Sequence, residues 1–304
     1  VAQYIHSAPN FSEGRRLEVV EAVVAPLKGI PGVKLITYHP DPDFNRTVVE
    51  LVGKPDPLKE ALLAMAGKAY ELIDLNQHQG AHPRIGALDV VSLAPLRNIT
   101  LEEVKQLARR IGEEIYQRYK VPVYFSGELA RTPERKNFDY IRKGQFEGLK
   151  EAVLPPERAP DLGGPTLHPT AGATIVTADP IALVAVNVIL DSDDLDLAKR
   201  IAKAVRGPSG GFSTVRAIGL RFTQRQKVAV SMDMFDVEKT PIYRVYELIR
   251  LEAERRGVKV LGTQIVGTLR QEALIRVAEF YLGLEDFNRD QILENHLIDL
   301  ESPE

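Results

Sequence analysis

Six histidines, no cysteine and a few arginines in glycine- and proline-rich stretches set the chemistry open to this chain. Without a thiol, disulfides, thiolate nucleophiles and Cys-ligated zinc are excluded. Among His6, His39, His78, His82, His168 and His296, the pair His78 and His82 has the i, i+4 spacing of two metal ligands on one helix face. Gly80 and Pro83 interrupt that stretch, and a residue before proline is pushed toward extended backbone. Residues 78–86 are therefore expected as a loop, with no metal. In such a loop Pro83 presets the orientation of His82, and a neutral imidazole offered to a ligand can take a proton near pH 7. Asp89, on the strand expected next, is placed to orient that ring. Gly207-Pro208-Ser209-Gly210-Gly211 matches the nucleophile-elbow pattern, but that motif needs a strand before it and a helix after it. Here the order is helix then strand, so the match reads as a flexible connection. Arg46, Arg84, Arg142 and Lys143 lie in or near loops. Most such charges are solvated surface; the functional alternative is a carboxylate pocket, with Arg46 and Arg84 the stronger candidates for a bidentate fork. The segment DLGGPTLHPTAGA at 161–173 reads either as a linker or as a loop whose glycines let backbone approach a flat ligand.

The elements that must hold these residues follow from periodicity. At 304 residues the chain is about twice a typical domain, so two domains are expected. In the first half, strands are expected at 2–8, 33–38, 46–52, 87–93 and 121–125. Apolar residues from Leu17 to Leu27 recur at helical spacing, with Asn10, Ser12 and Glu13 as polar caps. A second helix runs from Asp56 to Leu75 with Pro57 in its first turn, and a third from Leu101 to Tyr119 behind a Thr100/Glu103 capping box. Four prolines between 131 and 160 predict short helices on irregular connections. The second half opens with a short strand at 173–176, then strand 182–190, helix 195–205, a hairpin of 214–222 and 227–232 across 223–226, helix 241–256 and strand 258–266. The order β-α-β-β-α-β thus occurs twice, as in ferredoxin-like domains. The expected class is α+β: two ferredoxin-like lobes, 1–172 and 173–304, with mixed sheets, helices on one face of each and a ligand cleft between them.

Composition narrows the setting. A chain 44% hydrophobic has material for a core in each half, and its net charge of −3 argues against a broad nucleic-acid surface. No apolar run approaches the ~20 residues that span a bilayer, and no signal peptide is evident, so a cytoplasmic protein without a membrane partner is expected. The Asn-x-Ser/Thr triplets at Asn10, Asn45 and Asn98 read as turn residues rather than glycosylation sites.

Several stretches together resemble the formiminotransferase family, the glutamate formimidoyltransferases. They are PNFSEGR at 9–15, NRTV at 45–48, HQGAHPRIGALDV at 78–90, VPVY at 121–124 with Gly127-Glu128, the segment 161–173, and GTQIVG at 262–267. The likeness covers essentially the whole chain and departs from the family pattern at residues 37–43 and at Ser126. It implies two ferredoxin-like lobes with a folate site between them, in a homodimer. It also implies transfer of the formimino group from N-formimino-L-glutamate to N5 of tetrahydrofolate, as in histidine degradation, with His82 as the catalytic general base. The folate-contacting loop maps onto Gly163, Gly164, Pro165, Thr166, Leu167, His168, Pro169, Thr170, Ala171 and Gly172, and Asn10, Asn45, Arg46 and Arg84 are the candidate substrate-binding residues. The sequence stops at Glu304, so the cyclodeaminase function fused to some relatives is not carried over. Two readings stand beside this one: formyl transfer between 5-formyltetrahydrofolate and glutamate, and a folate-binding protein without catalysis.

Overall fold

The computed structural model describes residues 2–222 and 225–300, and the chain divides into two compact units, one ending at Pro180 and one beginning at Ile181. In the first unit, β1 (Tyr4–Ser7) and β2 (Asn10–Phe11) are two pieces of one strand interrupted at Ala8-Pro9. Both pieces lie between β4 (Arg46–Gly53) and β5 (Leu88–Arg97), antiparallel to each, while β3 (Val33–Asp41) pairs antiparallel with the far side of β4. β7 (Thr174–Ala178) runs parallel to β5 on one side and to β6 (Val123–Gly127) on the other, so this sheet is mixed. The strand expected to open the second half is thus an inner strand of the first sheet. The division accordingly falls after Pro180 rather than after Gly172.

Three helices pack with this sheet: α1 (Leu17–Val24), α2 (Pro55–Leu72) and α3 (Leu101–Tyr119). α3 shows how sequence becomes structure here. Thr100 and Glu103 close a reciprocal capping box at its start, and Val104, Leu107, Ala108, Ile111 and Ile115 form the buried stripe of an amphipathic helix. α2 begins with Pro55 and Pro57 in its first turn, where a missing N–H leaves no bond unmade. α1 is not capped as expected. Asn10 belongs to β2, and the Ser12 hydroxyl donates to the Gly86 carbonyl. The Glu13 carboxylate instead accepts the N–H groups of Gly14, Arg15 and Arg16 in the turn ahead of the helix. Between β6 and β7 the chain forms short helices, including α4 (Phe138–Ile141) and α5 (Gln145–Leu149), as the prolines there predict.

The second unit is β8 (Val184–Leu190), α6 (Leu195–Val205), β9 (Val215–Phe222), β10 (Lys227–Met234), α7 (Ile242–Glu254) and β11 (Val260–Val266), followed by α8 (Gln271–Leu282) and α9 (Leu293–Leu300). Its strand order is β11-β8-β10-β9, antiparallel throughout rather than mixed. The reason is topological: strands joined through α6 or α7 run parallel, but each such pair has a third strand between its members. In the first unit β3, β4, β1/β2 and β5 lie in the same sequence, and β6 and β7 extend that sheet beyond β5. Residues Thr223 and Gln224 of the expected hairpin turn lie outside the described residues. No described helix is long and apolar enough to cross a membrane.

Candidate functional site

The loop carrying His82 is fastened to the turn before β4. Asn45 has φ 49°, a left-handed conformation that asparagine tolerates because its short polar side chain bonds locally. That side chain accepts the Gly14 N–H at 2.9 Å and donates to the Gln79 carbonyl at 2.9 Å. The Asn45 carbonyl in turn accepts from His78 Nε2 at 2.7 Å, while His78 Nδ1 accepts from Arg84 Nε at 2.9 Å. Both ring nitrogens of His78 are therefore committed, with the proton on Nε2, and burial holds its pKa below the usual histidine value. Gly80 is required where it stands, since a Cβ there would lie 2.1 Å from the Phe44 carbonyl oxygen. Asp41 Oδ1 accepts the N–H groups of Asp43 and Phe44 and so shapes the turn itself.

His82 is half-buried, with the Phe44 ring edge-on at 5.7 Å. Its Nδ1 lies 2.8 Å from Arg46 Nη1 and 2.7 Å from the Pro83 carbonyl oxygen. Arg46 Nη1 is also 3.5 Å from Asp89 Oδ2, which takes a 2.5 Å bond from Arg142 Nη2. Asp89 Oδ1 accepts the backbone N–H groups of Ile85 at 2.7 Å and Gly86 at 3.0 Å. Asp89 thus orients His82 at one remove, through Arg46 and through the loop backbone. A register slip makes this possible: Asn10 pairs with Val90 but Phe11 with Leu88, so Asp89 is the extra residue of a bulge, a device that re-aims a side chain. Burial raises the Asp89 carboxyl, but Arg142 and Arg46, with the Ile85 N–H, outweigh it and hold the group below the usual carboxylate range. For His82, burial first and then Arg46 and Arg142 drive the pKa down to about 4, against the opposing pull of the Pro83 carbonyl and Asp89. The imidazole is neutral at pH 7.

The loop at 163–172 lies directly beside this one. Gly86 and Gly172 form an antiparallel bridge, Ala87 N–H donates to the Ala171 carbonyl at 2.9 Å, and Ala173 N–H donates to Ile85 at 3.0 Å. The loop closes on itself through paired 168–172 backbone bonds, and His168 Nδ1 accepts the Ala171 N–H at 3.1 Å. Leu167, Ala171 and Gly172 are buried, whereas Gly164, Pro165, Thr166 and Pro169 are exposed and Gly163, His168 and Thr170 lie between. Arg84 is buried and its fork is occupied: Nη1 and Nη2 meet the exposed Glu147 carboxylate at 2.8 and 2.5 Å. Asn10 is buried with its Oδ1 lacking a hydrogen-bond donor, on the β4 face that also carries Arg46. The structure therefore gathers His82, Arg46, Asp89 and Arg142 into one network and sets Arg84 in a second, with His78 and Glu147. Phe44 and Glu147 carried no signal in the sequence, and Arg142 showed only as a loop charge. The pattern Gly207–Gly211 stands between α6 and β9, and Arg206 donates to the Ser209 hydroxyl, in keeping with a connection. Among the described residues, no group of three or more His, Asp or Glu is arranged to hold a metal.

Comparison with known proteins fits this arrangement. Residues 4–179 match the N-terminal subdomain of the formiminotransferase domain, and residues 185–301 match the formiminotransferase domain. A glutamate formimidoyltransferase of Streptococcus pyogenes serotype M1 is 43% identical over 299 residues, covering 98% of this chain and 100% of that protein. One from Thermoplasma acidophilum is 37% identical over 96% of this chain and 97% of its own length. The formimidoyltransferase-cyclodeaminase of Gallus gallus is 37% identical over 94% of this chain but only 53% of that protein. The chain is a transferase. It belongs to the formiminotransferase family.

Proposed function

We propose that this chain moves the formimino group of N-formimino-L-glutamate to N5 of tetrahydrofolate, releasing L-glutamate, with His82 as general base. The observation that carries the reading is a neutral, half-buried imidazole hydrogen-bonded beside Arg46 and adjoining a glycine-rich loop, in a chain of this family. As N5 bonds to the formimino carbon, N5 must lose its proton, and His82 Nε2 takes it. When the carbon–nitrogen bond to glutamate breaks, the same imidazole returns a proton to the departing amine. Tetrahydrofolate is a co-substrate here, and placing it against the donor supplies much of the acceleration. Residues 163–172 would hold it, the exposed Gly164, Pro165, Thr166 and Pro169 forming the contact surface. Asn10 Oδ1 would accept a ligand N–H, and Arg46 would meet a glutamyl carboxylate, with Asn45 setting the turn that presents it. A carboxylate could engage Arg84 by replacing Glu147, an exchange of like for like. We read both units as ferredoxin-like lobes on their shared strand order, and the protein as a cytoplasmic homodimer.

The test is turnover with formiminoglutamate and tetrahydrofolate, run beside 5-formyltetrahydrofolate with glutamate. His82→Ala should lower kcat by about 10²–10⁴-fold, the usual contribution of a positioned base. A variant that keeps the wild-type rate would remove His82 from the mechanism, and preference for the formyl donor would change the transferred group.

A further inference from the structure

His82 Nδ1 has two neighbours that it cannot serve together. The Pro83 carbonyl oxygen at 2.7 Å only accepts, so that bond needs a proton on Nδ1. Arg46 Nη1 at 2.8 Å only donates, so that bond needs a lone pair on the same nitrogen. The two contacts therefore belong to two tautomers of one neutral ring. With Arg46 engaged, the proton sits on Nε2, and that nitrogen is a donor with no basic lone pair. With Pro83 engaged, the proton sits on Nδ1, and Nε2 is the base that proton abstraction requires.

We propose that Arg46 selects the tautomer of His82. In the unliganded protein its N–H holds Nδ1 as an acceptor, and a carboxylate of the amino-acid substrate draws the guanidinium away, so that Nδ1–H passes to Pro83 and Nε2 becomes basic. This rests on the reading of His82 as the base and of a glutamyl donor. The direction of the resting equilibrium follows from magnitudes: a hydrogen bond from a charged donor is roughly twice as strong as a neutral one, so Arg46 outcompetes Pro83 while it stays. A proton on Nδ1 would moreover point at the guanidinium N–H across 2.8 Å. Charge balances, since Nε2 gives a proton to solvent and Nδ1 takes one from it, and the ring is neutral before and after. The groups facing the ring are Arg46, the Pro83 carbonyl and Phe44, with Asp89 and Arg142 behind Arg46. The substrate carboxylate would then contribute to kcat, because a donor lacking it leaves His82 in the wrong tautomer even when bound.

Nitrogen-15 NMR of the full chain carrying labelled histidine reads the tautomer directly, without turnover. The unliganded protein should show His82 protonated on Nε2, and saturating L-glutamate should move the proton to Nδ1. Arg46→Met should show the Nδ1-protonated ring with no ligand present, and Arg46→Lys, which keeps a charged donor, should resemble the wild type. An unliganded wild type already protonated on Nδ1, or an Arg46→Met ring still protonated on Nε2, overturns the proposal. A tautomer that glutamate leaves unchanged in a protein that turns over formiminoglutamate removes the switch and leaves the proposed function standing. An Arg46-dependent tautomer in a protein that turns over neither donor supports Arg46 as selector and removes the proposed function instead.

Discussion

At the scale of the residue, the site is an exercise in keeping one imidazole neutral. Two guanidinium groups share the Asp89 carboxylate, and together with burial they bring His82 to about 4. A base whose pKa is lowered is fully deprotonated well above that value. The pH profile of kcat/KM, which reports the free enzyme, should therefore rise through the region of about 4 and stay flat from there to neutrality. Arg142→Gln removes one of the cations, so the acid limb should move to higher pH, toward the ordinary histidine value, and a pH series of kcat/KM checks it. A limb that stays in place would mean that Arg142 does not act on His82 electrostatically. The loop at residues 78–86 was legible in the sequence because Gly80 and Pro83 interrupt the helix that the His78/His82 spacing would otherwise suggest. Asp89 was legible only as a neighbour on the next strand; its pairing with Arg142 was not, because an ion pair between residues 53 positions apart leaves no local pattern.

At the scale of the element, backbone hydrogen bonds join the two loops of the site, and glycine makes that approach possible. Gly172 has φ +70°, and a Cβ there would stand 1.9 Å from the Ile85 carbonyl oxygen. Gly172→Ala should therefore part the 163–172 loop from the loop bearing His82. The strained backbone alone costs about 1–3 kcal/mol, and the clash adds to it. Denaturant unfolding should show a loss of at least that size, with kcat/KM falling in the protein that remains folded. Gly148→Ala is the control, since its φ lies outside the left-handed region and nothing stands within 4 Å of the added Cβ. Equal stability of the two variants would show that the close approach is not required. Helix α3 was legible because Thr100 and Glu103 mark its start and its apolar stripe has helical period. β7 was legible as a strand but not as a member of the first sheet, because a short apolar run carries no information about its neighbours.

At the scale of the molecule, the repeated element order was legible because element type follows from local periodicity, while the addition of β7 and β6 beyond β5 depends on long-range pairing that periodicity does not encode. The same division separates the titrating groups. His78, His82 and His168, each pushed down chiefly by burial, all belong to the first unit, as do Glu13 and Asp89. The second unit's one histidine in the sequence is His296, and its lowered carboxylates Asp194, Glu247 and Glu279 sit in surface contacts that solvent screens. For a histidine whose folded pKa is lowered, the unfolded chain binds the extra proton, so stability is complete above the unfolded value near 6.5 and falls as pH drops toward the folded one. The lowered Asp89 and Glu13 act later, since their stabilisation is lost only below the ordinary carboxylate range; for both, burial opposes but arginine contacts and backbone N–H groups prevail. Between pH 7 and 5 the first unit should therefore lose stability while the second changes little. Amide hydrogen exchange, corrected for the intrinsic pH dependence of the exchange chemistry, should show protection falling first across β4, β5 and α3 and persisting in β8, β10 and α6. Protection lost first, or equally, in the second unit would mean that the buried histidines do not govern the response to acid.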